Sequence, residues 1–497
     1  MGGRRAILGL AVLTVAVVTF LMAAQAAADV ESRRAGNVVL LSNERTTLRL
    51  DLTRGGAITS LLDRDTGQEF IAEQKEPRLF QAVFSEKGNM SDKRLWAISN
   101  QAQSVTCDVR RDGERVVATL SFQGFAGRDI EATCTGTLAT GDPLVRWRLS
   151  LTFPDDLVLE AVQLPFLVLR APLGAGPEDD AAVMGQTKGG VYRRPAEWKT
   201  GATAQARQPG SLAAQFACYY DNAAGFYLAS QDTRGYVKTC QWRRTDEGML
   251  LHWEQNCYQS SPFELDYDVV LTTFRSGEKD RPTDWRDGAD LYKTWAVKQP
   301  WCKRTYAQRS DIPAWLKTGP AMVRFGRNWL ANPDGIREWL REYWLKRFPS
   351  NTPLIVAYWG WEKVESWVTP DYFPVFPSDE AFTALAKETR RLGCHTFLWP
   401  SGYHYTLTYG AKGDGIFQWD DRELFDRVAK PHAVQQRDGS PYRGARSWLQ
   451  GGETSALCPG DPWTIDWLND IAVQLCKRGA DMIQVDQVVG GALYWCY

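Results

Sequence analysis

The stretch RGADMIQVDQV, Arg478–Val488, decides how the second half of this chain is read. It is the end of a helix, a glycine stop at Gly479, and a short apolar strand that finishes on a carboxylate, Asp486. Side chains alternate along a strand, so Met482, Gln484 and Asp486 share one face while Ile483 and Val485 share the other. Aliphatic groups on one side and polar groups at the end of the other suit a strand with helices at its back and an open mouth beyond its C-terminal end. That is where a parallel βα barrel holds its chemistry. The competing reading of Asp486 is a helix N-cap or turn residue.

Upstream of this strand the same rhythm repeats. Ala321–Arg324 is read as a first strand, with a helix over 333–346. Pro353–Tyr358 (PLIVAY) is a second, with a helix over 380–392. His395–Trp399 (HTFLW) is a third, followed by a long loop and a helix over 462–477 that leads into the fourth strand. Continuous apolar strands, each followed by an amphipathic helix, mark parallel βα units. Four such units are the first half of a (β/α)8 TIM-type barrel, so the expectation is a chain that carries residues 311–497 as a truncated barrel. Assembly of two half-barrels as a dimer is the rival expectation.

The front of the chain has a different period. Leu48, Leu50 and Leu52 alternate with Arg49 and Asp51, and Val145, Trp147, Leu149, Leu151 and Phe153 alternate with polar residues. Turn signals such as Gly55-Gly56 and Asp112-Gly113 separate the runs. Residues 37–280 are therefore expected to form a large antiparallel β-sandwich, whose aromatic residues are core. Residues 281–310 follow as a helical linker, with Trp285, Ala289, Tyr292, Trp295 and Ala296 at helical spacing.

Composition narrows the function. The formal net charge of −1 offers nothing to nucleic acid or to an anionic membrane. The chain has 21 Trp, 18 Tyr and 20 Phe, suited either to core filling or to flat platforms on which sugar C–H faces stack. Residues 1–28 have the form of an export signal, with Arg4 and Arg5 ahead of an apolar run and cleavage expected near Ala26 to Ala28. An uncleaved N-terminal anchor is the lesser alternative, and no membrane contact is expected beyond the signal. The protein is thus expected outside the cytoplasm, where some of its ten cysteines could pair. With four dispersed histidines and no CxxC, neither a metal nor a cofactor is expected.

The residues at the strand ends form one chemical set. Arg324 ends the first strand, Trp361 and Glu362 follow the second, Trp399 and Tyr403 follow the third, and Gln484 and Asp486 end the fourth. Aromatic platforms with guanidinium, amide and carboxylate groups suit a neutral, hydroxyl-rich ligand, an oligo- or polysaccharide. Retaining glycosidases use one carboxylate as nucleophile and a second, about 5 Å away, as acid/base.

The passage from Cys458 to Val488 resembles the fourth βα unit of melibiase-like α-galactosidases, α-glucosidases and endo-α-N-acetylgalactosaminidases. In their approximate pattern G-x-D-Y-x-K-x-D the last Asp is the nucleophile. Gly479, Asp481 and Asp486 match, as does the Trp361-Glu362 pair. Met482 stands in place of the aromatic residue and Gln484 in place of the lysine, so galactose specificity does not follow. The front half is similar to galactose-mutarotase-like domains, and the whole layout resembles a bacterial group termed domain of unknown function 6259. The resemblance implies an exported retaining glycoside hydrolase for α-linked glycans. Asp486 would be its nucleophile, and Arg324, Trp361, Glu362, Trp399, Tyr403 and Gln484 its substrate-binding residues. The acid/base would lie on a later strand, so little turnover is expected from this chain alone. A non-catalytic carbohydrate-binding or scaffold protein with a degenerate barrel is the alternative. An epimerase or lyase on the sandwich ranks lower, since His252 is the only histidine there.

Overall fold

The structure is a computed structural model that describes residues 30–88, 93–186, 188–278, 280–363, 372–400, 402–409, 419–445, 452–484 and 496. The chain divides into two compact units between Cys302 and Lys303.

The first unit is antiparallel β. Among the described residues it has a four-stranded meander (Glu31–Ala35, Val38–Ser42, Thr46–Asp51, Ala57–Asp63), a ten-stranded sheet and a seven-stranded sheet. Alternation does what the sequence requires of it. Leu48, Leu50, Val145, Trp147, Leu149, Leu151 and Phe153 are all buried in one large core, while Arg146 and Arg148 turn outward to bind Asp268. Trp147, Trp242 and Trp253 are fully buried, so these three tryptophans are filler rather than platform.

The helix Trp285–Ala296 packs within this unit instead of bridging freely. Its start is a reciprocal cap: the Asp284 carboxylate accepts from the Arg286 N–H at 2.8 Å, and the Asp284 N–H donates to Asp287 at 3.0 Å. Gly288 is buried against the sheet, where an added Cβ would lie 2.3 Å from the Cys218 sulfur. Tyr292 stacks on Phe216 at 5.3 Å. The buried face is therefore Gly288, Ala289 and Tyr292, and Trp285, expected on it, is 44% exposed.

The second unit holds a four-stranded parallel sheet in the order Ala321–Phe325, Leu354–Tyr358, Cys394–Leu398, Met482–Ile483. Four parallel strands are the number expected for the first half of a (β/α)8 barrel, and the described residues show this sheet of four without a closed barrel. Its two faces are distinct. Phe325, Leu354, Val356, Tyr358, Leu398 and Ile483 pack toward the helices, whereas Ile355, Ala357, Phe397, Trp399 and Met482 form a second cluster on the other, inner face. The helices are Pro333–Arg347 with a π-helical middle at Trp339–Trp344, Asp379–Arg391, and Pro462–Lys477. The last two start as their sequences dictate. The Ser378 hydroxyl accepts from the Ala381 N–H, and the Asp461 carboxylate, just before Pro462, accepts from the Thr464 N–H.

The region read as a plain loop between the third strand and the last helix contains structure. His404–Thr406, Glu453–Ala456 and Arg443–Ala445 form a three-stranded antiparallel sheet, and Thr408–Tyr409 pairs with Trp419–Asp420. All ten cysteines are free thiols, so no disulfide of the kind expected is formed.

Candidate active site at the strand ends

The inner face of the parallel sheet carries different groups at its two ends. At the N-terminal end of the strands, Trp315 stacks on His395 with centroids 3.7 Å apart, and Leu316 packs with it on Ile355 and Ala357. Burial there depresses the His395 pKa, leaving a neutral ring under the sheet.

At the C-terminal end the described residues bring together an arginine, two indoles and an amide. Arg324 is exposed, and its guanidinium lies 5.1 Å from the centre of the Trp359 ring. Trp359 in turn meets Trp399 edge to face, 4.7 Å apart at 90°. The two indoles make a corner with one flat face each, braced by a cation. The Trp399 indole N–H has no acceptor among the described residues. Gln484 is exposed beside them, its backbone N–H donating to the Leu398 carbonyl at 3.1 Å.

Three sequence-selected residues, Arg324, Trp399 and Gln484, thus gather at this mouth. Trp359 completes the group and was not selected. Trp361 is placed elsewhere: it is 1% exposed and packs against Tyr372 at 5.3 Å in the helix-side core. Glu362 is 2% exposed, closed off from solvent in the loop after the second strand. Arg327 holds that loop, donating to the carbonyls of Gly360 at 2.9 Å, Glu362 at 2.7 Å and Lys363 at 3.1 Å while lying over Phe376. Tyr403 is half-buried at the start of the antiparallel insertion, where its carbonyl accepts from the Leu457 N–H at 2.6 Å. Asp486 lies outside the described residues.

The motif residue Asp481 has a structural task. Its carboxylate accepts from Arg390 at 2.6 Å and from the Thr396 N–H at 2.9 Å, and its own N–H donates to the Thr396 carbonyl at 2.9 Å. This fixes the register of the fourth strand on the third, and with it the level of Gln484.

The fold, antiparallel sheets followed by parallel βα units, is shared with solved glycoside hydrolases. The alpha-N-acetylgalactosaminidase NagBb of Bifidobacterium bifidum, in complex with GalNAc, is similar at a TM-score of 0.62 and 14% identity, over 92% of this chain and 70% of that one. Its ligand-free form matches at a TM-score of 0.57 and 13% identity, over 91% and 70%. An alpha-galactosidase from Lactobacillus brevis matches at 0.45 and 10% identity, over 90% and 63%. At these identities the NagBb likeness establishes the fold. Residues 263–497 match the family model described as Domain of unknown function (DUF6259), so the resemblance read from the sequence is shown for that part of the chain. No curated protein matches the chain.

Proposed function

We propose that this protein is an exported retaining glycoside hydrolase that acts on α-linked glycans, with Asp486 as nucleophile. The observation that carries the reading is the mouth of the parallel sheet, where Arg324, Trp359 and Trp399 frame one face of the fourth strand's end. Met482 packs on the inner face and Ile483 on the helix side. On the alternation read from the sequence, Asp486 would share the face of Met482 and Gln484. A sugar ring stacked on Trp399 would then present its anomeric carbon toward this carboxylate. In such a mechanism the carboxylate displaces the leaving group and forms a glycosyl ester, which water then hydrolyses. The parallel sheet takes its place here as part of a (β/α)8 barrel, and residues 1–28 as the export signal.

A substrate with a fluoride leaving group isolates the first step, because fluoride departs without the general acid that an alcohol leaving group needs. Incubation with α-galactosyl, α-glucosyl and α-N-acetylgalactosaminyl fluorides should release a burst of about one fluoride per protein from the matching sugar. Asp486→Asn should abolish the burst, since glycosyl transfer to the carboxylate defines it. A burst that survives in Asp486→Asn removes the nucleophile from that residue.

A further inference from the structure

Two adjoining cavities of about 770 and 300 Å³ lie on the first unit, and the strand-end chemistry uses neither. They form where the short turn Leu52–Arg54 of the meander meets the end of strand Leu167–Leu169, and Arg54, Ala72, Glu73, Gln74 and Arg170 wall both. Backbone pairing brings these residues together. Ile71 bridges to Leu169, the Arg170 N–H donates to the Phe70 carbonyl at 2.8 Å, and the Ala72 N–H donates to the Val168 carbonyl at 3.0 Å. Gln74 is 6% exposed, and its side-chain amide makes no hydrogen bond among the described residues. Unlike the sealed amide nitrogens of Gln68 and Gln255, it still meets solvent, so an occupant of the cavities can reach it. A nearly buried amide is rarely left without a partner, and one that lines a cavity marks where an occupant would complete the pairing.

The charges in the shared wall select the kind of occupant. Neither Arg54 nor Arg170 is ion-paired among the described residues, and Arg170 engages only the Ile71 carbonyl, through its Nε–H at 3.2 Å. The acids that line the smaller cavity alone are already committed. Glu69 accepts from the N–H groups of Leu61 at 2.9 Å and Ile71 at 2.8 Å and from the Ser60 hydroxyl. Asp51 accepts from the Thr53 N–H at 3.0 Å and from its hydroxyl at 2.6 Å. Asp246 and Glu247, which line only the larger of the two, accept from the Thr200 hydroxyl and the Lys75 N–H, each at 3.0 Å. Glu73 is the one carboxylate of the shared wall, so two guanidinium groups stand there against one acid. A guanidinium offers a planar fork of donors that matches the oxygens of a carboxylate, sulfate or phosphate, whereas a cation would meet excess positive charge. We propose that these cavities bind a small acidic ligand, its oxyanion held by Arg54 and Arg170 and a neighbouring hydroxyl or amide held by Gln74. The site is independent of whether the strand-end mouth is catalytic.

The test is calorimetric titration of the full chain with galacturonate, galactose 6-sulfate and galactose 6-phosphate, which separate the three oxyanions on one sugar, and with galactose as the neutral control. The expected result is saturable binding of at least one of the acidic three, tighter than that of galactose and weakened by added salt. Arg54→Gln, at an exposed position, and Gln74→Leu, which removes the amide at similar volume, should each weaken it by about five-fold or more. If Gln74→Leu does not fold, Arg54→Gln alone decides. No saturable binding of any acidic probe, galactose binding as tightly as they do, or binding unchanged by Arg54→Gln overturns the assignment.

Discussion

Trp359 and Trp399 divide the work at the mouth in a way that single substitutions can separate. Trp399 offers a face to the ligand and Trp359 supports it from the edge, with Arg324 over the far ring. Trp399→Ala should reduce affinity for a bound glycoside by about 1 kcal/mol or more, roughly five-fold, and Trp399→Phe by less. Arg324→Ala removes the cation over the Trp359 ring and should change affinity less than Trp399→Ala does. Equilibrium titration with an unreactive glycoside measures all three, and Arg324→Ala weakening binding more than Trp399→Ala would refute this division.

Asp180 carries a pH dependence that is unconnected with the mouth. Its Oδ2 accepts from Tyr219 at 2.6 Å and from the Leu173 N–H at 3.1 Å, while Oδ1 has no donor among the described residues. Burial, aided by the nearby Asp221 and Asp179 carboxylates, pushes its pKa from 3.8 up to about 6. The folded state then holds this proton more tightly than the unfolded chain does. Its stabilising effect is complete below about pH 4, is lost as pH rises through about 6, and is flat above. Asp180→Asn should remove that slope and raise stability near pH 8 by about 1–3 kcal/mol, read as a higher melting temperature. A lower melting temperature at that pH would show that the carboxylate is needed ionised.

The residue scale is also where the sequence misleads most. The run Leu354–Tyr358 alternates cleanly, so Ile355 and Ala357 face inward and residue 359 follows them by parity. Parity ends at Gly360, whose φ of 74° turns the chain, and Trp361 is carried into the helix-side core. Two tryptophans one residue apart from the same glycine thus have opposite fates. The signal for Trp359 was present in the alternation. The signal for the burial of Trp361 and Glu362 was not, because it depends on Arg327 gripping the loop from another strand's end.

Elements were legible where local chemistry fixes their ends. The helix over 462–477 coincides with its expected span because Asp461 caps it, Pro462 begins it and Gly479 lies just past its end. Gly479 sits at a φ of 105°, and a Cβ there would come 2.8 Å from Ala386 of the neighbouring helix. Gly479→Ala should therefore destabilise the second unit by about 1–3 kcal/mol, through both strain and overpacking. A drop in that unit's thermal midpoint checks it, and an unchanged midpoint would mean that the turn relaxes at no cost. The antiparallel insertion after the third strand was illegible for the opposite reason. Its strands are two to four residues long, too short to show a period, and their pairing joins residues some fifty positions apart, as His404 to Ala456. The π-helical turn at Trp339–Trp344 likewise leaves no trace in a pattern read at 3.6 residues per turn.

At the scale of the whole molecule, the change of period near residue 300 marks the change of architecture, since alternation builds the sheets of the first unit and strand–helix repetition builds the second. The first unit buries Trp147, Trp242 and Trp253 in its core. The second has a sheet face with Trp315 stacked on His395 at one end and Arg324, Trp359 and Trp399 together at the other. The proposed chemistry at that end needs a nucleophile, and Asp486 is the carboxylate proposed for it from the alternation of the sequence. The most direct measurement is covalent trapping with the 5-fluoro-α-glycosyl fluoride of whichever sugar gives the fluoride burst, followed by peptide mass spectrometry. The predicted result is a single glycosyl adduct on the peptide containing Asp486, absent from Asp486→Asn. An adduct on another carboxylate such as Glu362, or fluoride release with no adduct at all, would contradict it.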